Sequence, residues 1–224
     1  MQQNTKQMML FKDIFHKKVV ADFDGGDVSS DAGLLFLREV ESGTNIIRRV
    51  ANVLKDKRHP GYVRHQFIHL LKQRVFQIAS GYEDANDSDD LKDDPILKIV
   101  CEKSESSLAS QPTMCRFENT FSRTELYRIA QVFVDVFIGS YKTPPEGIIL
   151  DIDDTDDPTH GNQQLSFFNG YHGSYCFMPL HIYEGKSGKL ITTILRTSKR
   201  PSGKEIVMIL KRLIFAKHII STMF

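Results

Sequence analysis

Apolar residues recur every three or four positions through most of the first 141 residues, and at every second position or in short unbroken runs after that. The first pattern predicts helices with one buried face, the second predicts strands. Before the helices begin, residues 18–23 predict a short strand, with VVADF running into the Asp24-Gly25-Gly26 turn. Ser29, Ser30 and Asp31 offer capping side chains to a helix through AGLLFLREVESG, with Leu34, Leu35 and Leu37 on its apolar face. A second helix is expected from Thr44 through Ile46, Ile47, Val50, Val53 and Leu54. After the Pro60-Gly61 break, Val63, Phe67, Leu70, Leu71, Val75 and Ile78 keep helical spacing up to Gly81. DDPILKIVCEK predicts a helix with Pro95 in its first turn and acids at its positive end. SQPTMCRFENTF and SRTELYRIAQVFVDVFIGSY continue the helical pattern, and no tandem repeat is present.

The pattern changes at residues 142–145, Lys-Thr-Pro-Pro, which cannot continue a helix. GIILDID then predicts a buried strand. SYCFMPLHIYE and KLITTIL predict two more strands, joined by the hairpin-type loop Gly185-Lys186-Ser187-Gly188. An amphipathic helix closes the chain from Ser202 to about Ile220, with Ile206, Ile209, Leu210 and Leu213 inward. The predicted architecture is α+β. Residues 1–27 form an N-terminal segment with a short strand, 28–141 a mostly helical region, and 142–224 a strand, a hairpin and a helix.

Composition narrows the class. With 41% hydrophobic and 25% charged residues in 224, the chain is an ordinary globular one, long enough to bury a core. The 29 basic and 28 acidic side chains nearly cancel, but not evenly along the chain. Acids crowd residues 83–94 and 151–157, whereas nine basic residues face only Glu184 and Glu205 after Asp157. The longest apolar runs, such as VFVDVFIG, are short and contain an Asp, so no membrane span is expected. The N-terminus lacks the apolar stretch and cleavage site of a secretory signal, and three scattered cysteines indicate neither a disulfide framework nor a CxxC metal site. A soluble protein of a reducing compartment is expected.

Candidate chemistry sits at the end of the GIILDID strand. Asp151 and Asp153 are two apart, so a strand projects both on one face, where mutual repulsion favours a hard divalent cation such as Mg²⁺. Asp154, Asp156 and Asp157 are expected to solvate the loop before Pro158. Metal-assisted phosphoryl transfer is one use of such a strand end. Asp151-Ile152-Asp153-Asp154-Thr155 also fits the D-x-D-x-T motif of haloacid-dehalogenase-type phosphatases, with Asp151 as nucleophile and Asp153 as acid/base. The acidic pair that such a phosphatase needs later is missing, because only Glu184 and Glu205 follow Asp157. Elsewhere, the acidic run from Asp84 fails as an EF-hand, with Asp89 in place of Gly and Pro95 in place of Glu. The eight histidines show no HExxH spacing, and His160 is expected in a loop.

Three longer blocks carry a resemblance. They are GYEDAND continuing into LKDDPILK; LASQPT with Arg116, Glu118 and Asn119; and residues 150–196, LDIDDTDDPTHGNQQLSFFNGYHGSYCFMPLHIYEGKSGKLITTILR. With DFDGGDVSSDAGLLFLRE they span roughly residues 18 to 212, and over that span the chain resembles the DDE transposases of bacterial insertion sequences, in the group numbered thirteen-eighty. The resemblance implies an RNase H-like core from residue 142, incomplete here, after a helical region serving DNA-end binding or assembly. It also implies cleavage and strand transfer of double-stranded DNA at element ends, with two Asp and a Glu holding two Mg²⁺ about 3.5–4 Å apart. The first acid maps onto this strand: Asp153, which precedes Thr155 by two as in related transposases, with Asp151 as the alternative. The match fades after about Arg212, so the second Asp and the Glu are missing. A truncated or frameshifted remnant, inactive alone, is therefore expected.

Lys186, Lys189, Arg196, Lys199, Arg200, Lys204, Lys211 and Arg212 are the expected phosphate contacts, in a cytoplasmic, nucleoid-associated protein. A homo-oligomer or a full-length transposase is the expected protein partner, the latter if the chain is a non-catalytic regulator. An RNase H-like sheet cut short in this way would leave a long unpaired edge.

Overall fold

The computed structural model describes residues 9–21, 31–103, 106–159, 163, 165–199 and 202–216. Ser29, Ser30, His160 and Arg200 lie outside them. Among the described residues are eight α-helices and three small antiparallel sheets, a mixed α+β architecture. The chain divides into two units, Met1–Glu125 and Leu126–Phe224.

The N-terminal unit opens with a hairpin. Strand β1 (Met9–Ile14) pairs antiparallel with β2 (Lys17–Ala21). Phe15 and His16 make the turn at φ 49° and 61°, the positive values that a two-residue hairpin turn requires. The predicted strand at 18–23 thus ends at Ala21 within the described residues and has a partner that the apolar pattern did not disclose.

Helices α1 (Leu34–Thr44) and α2 (Ile46–Val53) are separated by Asn45 alone, at φ 54°. Glu41 spans the break and accepts from the N–H groups of Ile47 at 2.8 Å and Arg48 at 3.2 Å, partners that the start of α2 otherwise lacks. A 3-10 turn (Pro60–Tyr62) leads to α3 (Phe67–Ala79). The acidic stretch after Gly81 contains a one-turn helix, α4 (Asp87–Leu91), whose buried Ser88 hydroxyl donates to Gln77 Oε1 at 3.2 Å.

In α5 (Pro95–Val100), Pro95 occupies the first turn and the Asp94 carboxylate accepts from Leu97 N–H at 2.7 Å. Next come α6 (Gln111–Glu118) and the start of α7 (Arg123–Gly139). Leu34, Leu35, Ile47, Phe76, Leu97, Val100, Cys101 and Leu108 form one core; Leu70, Ala109, Met114 and Phe117 form a second. Cys101, Cys115 and Cys176 are free thiols.

The C-terminal unit takes most of α7 and the expected order of strand, hairpin and helix. Strands β3 (Leu150–Asp154), β7 (Leu180–Glu184) and β8 (Leu190–Ile194) make an antiparallel sheet in the order β3-β7-β8. Between β3 and β7 the chain makes a second sheet of β4 (Asp157–Pro158), β5 (Phe167–Asn169) and β6 (Ser174–Phe177), ordered β4-β6-β5. Two expectations are corrected here. SYCFMPLHIYE is two strands in two sheets, broken at Met178-Pro179, where the proline has no N–H for a ladder. Asp154 and Asp157 belong to strands rather than to a loop.

Helix α8 (Gly203–Ala216) closes the described chain. Val134 and Phe137 of α7, Ile182 and Ile191 of the sheet and Leu213 of α8 make the core of this unit, with Leu150, Ile152 and Ile209 against it. A register shift between Ile182 and Tyr183 is a bulge that buries both Ile191 and Thr192, and Thr192 Oγ1 donates to the Ala130 carbonyl of α7 at 2.8 Å.

Candidate functional site

Burial alternates along β3: Leu150, Ile152 and Asp154 are half-buried, whereas Asp151 and Asp153 are exposed. The expectation that the two carboxylates share a face holds because a five-residue strand with Ile152 in the core has only one way to face. Asp151 stands opposite Tyr183 of β7 and Asp153 opposite His181. His181 in turn stands opposite Thr193 of β8, and its Nδ1 lies 2.9 Å from Thr193 Oγ1. One row, Asp153, His181 and Thr193, therefore crosses all three strands on the face away from the core, with the Tyr183 ring 6.2 Å from that of His181.

The ladder also fixes what β3 leaves free. Gly185 N–H donates to the Ile149 carbonyl at 2.8 Å and Thr155 N–H to the Pro179 carbonyl at 3.3 Å. Bonded pairs alternate in an antiparallel ladder, so Asp151 and Asp153 occupy bonded pairs. The N–H groups of Leu150, Ile152 and Asp154 point to the other side, where no strand lies among the described residues.

The remaining carboxylates of the cluster go elsewhere. Asp154 turns to the core side, with Oδ2 3.8 Å from Arg196 Nη1. Asp156 lies 3.8 Å from His172 Nδ1, and Asp157 pairs with Phe177 in the second sheet. Neither later acid faces Asp151 and Asp153. Glu184 is buried on the core-facing side of β7, where it accepts from the N–H groups of Ser187 at 2.7 Å, Lys186 at 3.2 Å and Ile149 at 3.3 Å. Ser187, through its hydroxyl and its amide, and then the Lys186 and Ile149 amides hold the Glu184 carboxyl down to about 2. Glu205 is bound to Arg196, which holds its carboxyl below the usual range. Among the described residues no group of three or more His, Cys, Asp or Glu is placed to hold a metal ion. Asp151 and Asp153 supply carboxylate oxygens of the right kind for a hard cation, but the pair is too small a donor set for two ions.

The expected phosphate contacts occupy different settings. Lys186 is exposed in the β7–β8 turn. Lys189 Nζ sits 4.0 Å over the Tyr141 ring and donates to Ser140 Oγ at 3.0 Å. Lys199 is exposed, 5.5 Å over the Phe167 ring. Lys204, Lys211 and Arg212 are exposed on α8. Among the described ones only Arg196 is buried, and its guanidinium is engaged inside the unit.

The sequence pattern by itself does not single out His181, Tyr183 and Thr193. Their alternation with Leu180 and Ile182 is visible there, but only the register of three strands brings them to Asp153. No curated protein and no solved structure matches the chain. No helix among the described residues is long and apolar enough to cross a membrane. Residues 11–223 match the model of the family described as transposase DDE domain group 1, and the chain belongs to that family.

Proposed function

We propose that the chain is a transposase-derived protein of a bacterial insertion sequence, in the group numbered thirteen-eighty, that binds double-stranded DNA and does not by itself complete a catalytic site. Asp153 is the first acid of the family's triad, with Asp151 beside it, and a full-length transposase or a second copy is its protein partner. The family acts on DNA and generally uses a divalent metal; Mg²⁺ is the ion proposed here. The observation that supports the reading best is the pairing of family membership with two exposed carboxylates on one face of β3, while Glu184 and Glu205 are engaged elsewhere. Exposed Lys186, Lys199, Lys204, Lys211 and Arg212 supply sequence-independent attraction to phosphates. Arg196 has a structural role.

The test uses the full chain with short duplexes and supercoiled plasmid. Binding that weakens steeply with salt is expected, with no nicking or strand transfer in Mg²⁺ or Mn²⁺. Absence of binding at low salt would overturn the DNA assignment. Metal-dependent nicking abolished by Asp153→Asn would overturn the incomplete site while keeping the first acid.

A further inference from the structure

The N-terminal unit holds a cleft of about 560 Å³, lined by the 58–65 segment together with Lys103, residues 106–110 and α6. Four of its lining residues are cations, Arg58, Arg64, Lys103 and Arg116, and none among the described residues is a carboxylate. The four are not equivalent. Arg58 is already matched: Nε and Nη2 donate to Asp56 at 2.8 and 2.7 Å, and Nη1 donates to the His65 carbonyl at 2.9 Å. Lys103 Nζ lies 2.6 Å from His65 Nδ1, a distance at which the ring nitrogen accepts and the imidazole is neutral. Burial first, and then the charges of Lys103, Arg64 and Arg58, push the His65 imidazole down to about 4, which fits a positive field in the cleft. Arg64 and Arg116 are exposed, and neither has an ion-pair partner among the described residues. Arg116 reaches only the Thr113 hydroxyl, 3.5 Å from Nη2.

Three cations around an open cleft, two of them with free guanidinium edges, repel one another until an anion with several charges enters. Guanidinium forks match phosphate oxygens in pairs, and an ammonium and a hydroxyl supply single donors; together these are the groups that bind a nucleic-acid backbone. We propose that this cleft seats the sugar–phosphate backbone of duplex DNA, with Arg64, Lys103 and Arg116 on phosphates and Thr113 as an added donor. The proposal rests on the DNA-binding reading above, and it assigns the N-terminal unit a contact surface distinct from the basic residues of the C-terminal unit.

Fluorescence anisotropy with the full chain and labelled duplexes tests it across a salt titration. Arg64→Gln with Arg116→Gln is expected to weaken binding roughly tenfold on every duplex sequence. The slope of log K against log salt should fall by about 2, close to 0.9 for each lost phosphate contact. Arg64→Lys with Arg116→Lys keeps the charge, so it should retain the slope and lose only part of the affinity. Unchanged affinity and slope in the Gln pair overturns the proposal. The proposed function survives that result if Lys204→Gln, Lys211→Gln and Arg212→Gln together abolish binding. Inorganic phosphate that displaces duplex as effectively as unlabelled duplex would make the cleft a small-anion site and overturn the backbone assignment. A wild-type chain that fails to bind at low salt removes both readings. Both arginines are exposed, and unchanged thermal melting of the variants confirms that the comparison concerns binding alone.

Discussion

Arg196 and Glu205 meet through two hydrogen bonds, Nε to Oε1 at 2.9 Å and Nη2 to Oε2 at 3.1 Å. The same guanidinium donates to the carbonyls of Lys199 at 3.1 Å and Met178 at 3.4 Å, so it ties the end of β8 to the first turn of α8. Arg196 is buried, and the pair is worth most as a matched set, because removing one partner leaves a desolvated charge or dipole behind. Arg196→Leu should destabilise the C-terminal unit by about 3 kcal/mol in urea unfolding. Arg196→Lys should recover little of it, since an ammonium cannot reproduce the fork. A loss of DNA binding in either variant should track the unfolded fraction. Equal stability of Arg196→Leu and wild type would remove the structural role.

Gln73 and the backbone of Ala109 form a second matched set, in the N-terminal unit. The Gln73 amide donates to the Ala109 carbonyl at 2.8 Å and accepts from the Ala109 N–H at 2.8 Å, all of it buried. Gln73→Leu keeps the volume and orphans both backbone groups, so a loss of about 3 kcal/mol is expected. Denaturant melts with a tolerated Gln73→Leu would refute this.

Acid should unfold the two units through separate carboxylates. The Lys57 ammonium, 2.8 Å away, and then Ser122 hold the Glu125 carboxyl down to about 2; Glu184 is held to about 2 by Ser187 and its neighbours. Both lie below the ordinary value of 4.5, so the unfolded chain binds the extra protons first as pH falls. Their stabilisation is complete above pH 4.5 and is lost between 4.5 and about 2. Glu125→Gln and Glu184→Gln should each flatten the acid limb of one unit's melting curve. Wild-type acid limbs in both variants would contradict the assignment.

Hydrogen exchange should distinguish alternate amides of one strand. The N–H groups of Asp151 and Asp153 lie in bonded pairs with β7, whereas those of Leu150, Ile152 and Asp154 point to the edge that no described strand covers. Ile152 should therefore exchange much faster than Asp153 despite its more buried side chain. Equal protection of the two would mean that the edge is covered in solution.

Much of this arrangement was legible in the sequence. The helix starts at Asp94-Pro95, the loop 185–188 and the shared face of Asp151 and Asp153 follow from local chemistry, which side-chain type and spacing report directly. The β1–β2 hairpin carries no turn signature, because Phe15 and His16, rather than Asn or Gly, take the positive φ values of its turn. The excursion into the second sheet was hidden because the apolar run through SYCFMPLHIYE is continuous while its backbone pairing is not. Pro179 was the available signal. The approach of His181 to Asp153 and the cleft between Arg64 and Arg116 depend on tertiary placement, which no local pattern encodes.

The edge of β3 that no described strand covers has a colloidal consequence. An uncovered strand is a template for another chain, and two copies of LDIDD pairing antiparallel would set carboxylates near carboxylates. Asp151 and Asp153 are therefore expected to oppose that pairing. Neutralising them removes that protection: Asp151→Asn with Asp153→Asn should raise light scattering at equal concentration, and Mg²⁺ should do so for the wild type alone. The charge of this strand works against edge-to-edge pairing at β3, and against that contact alone.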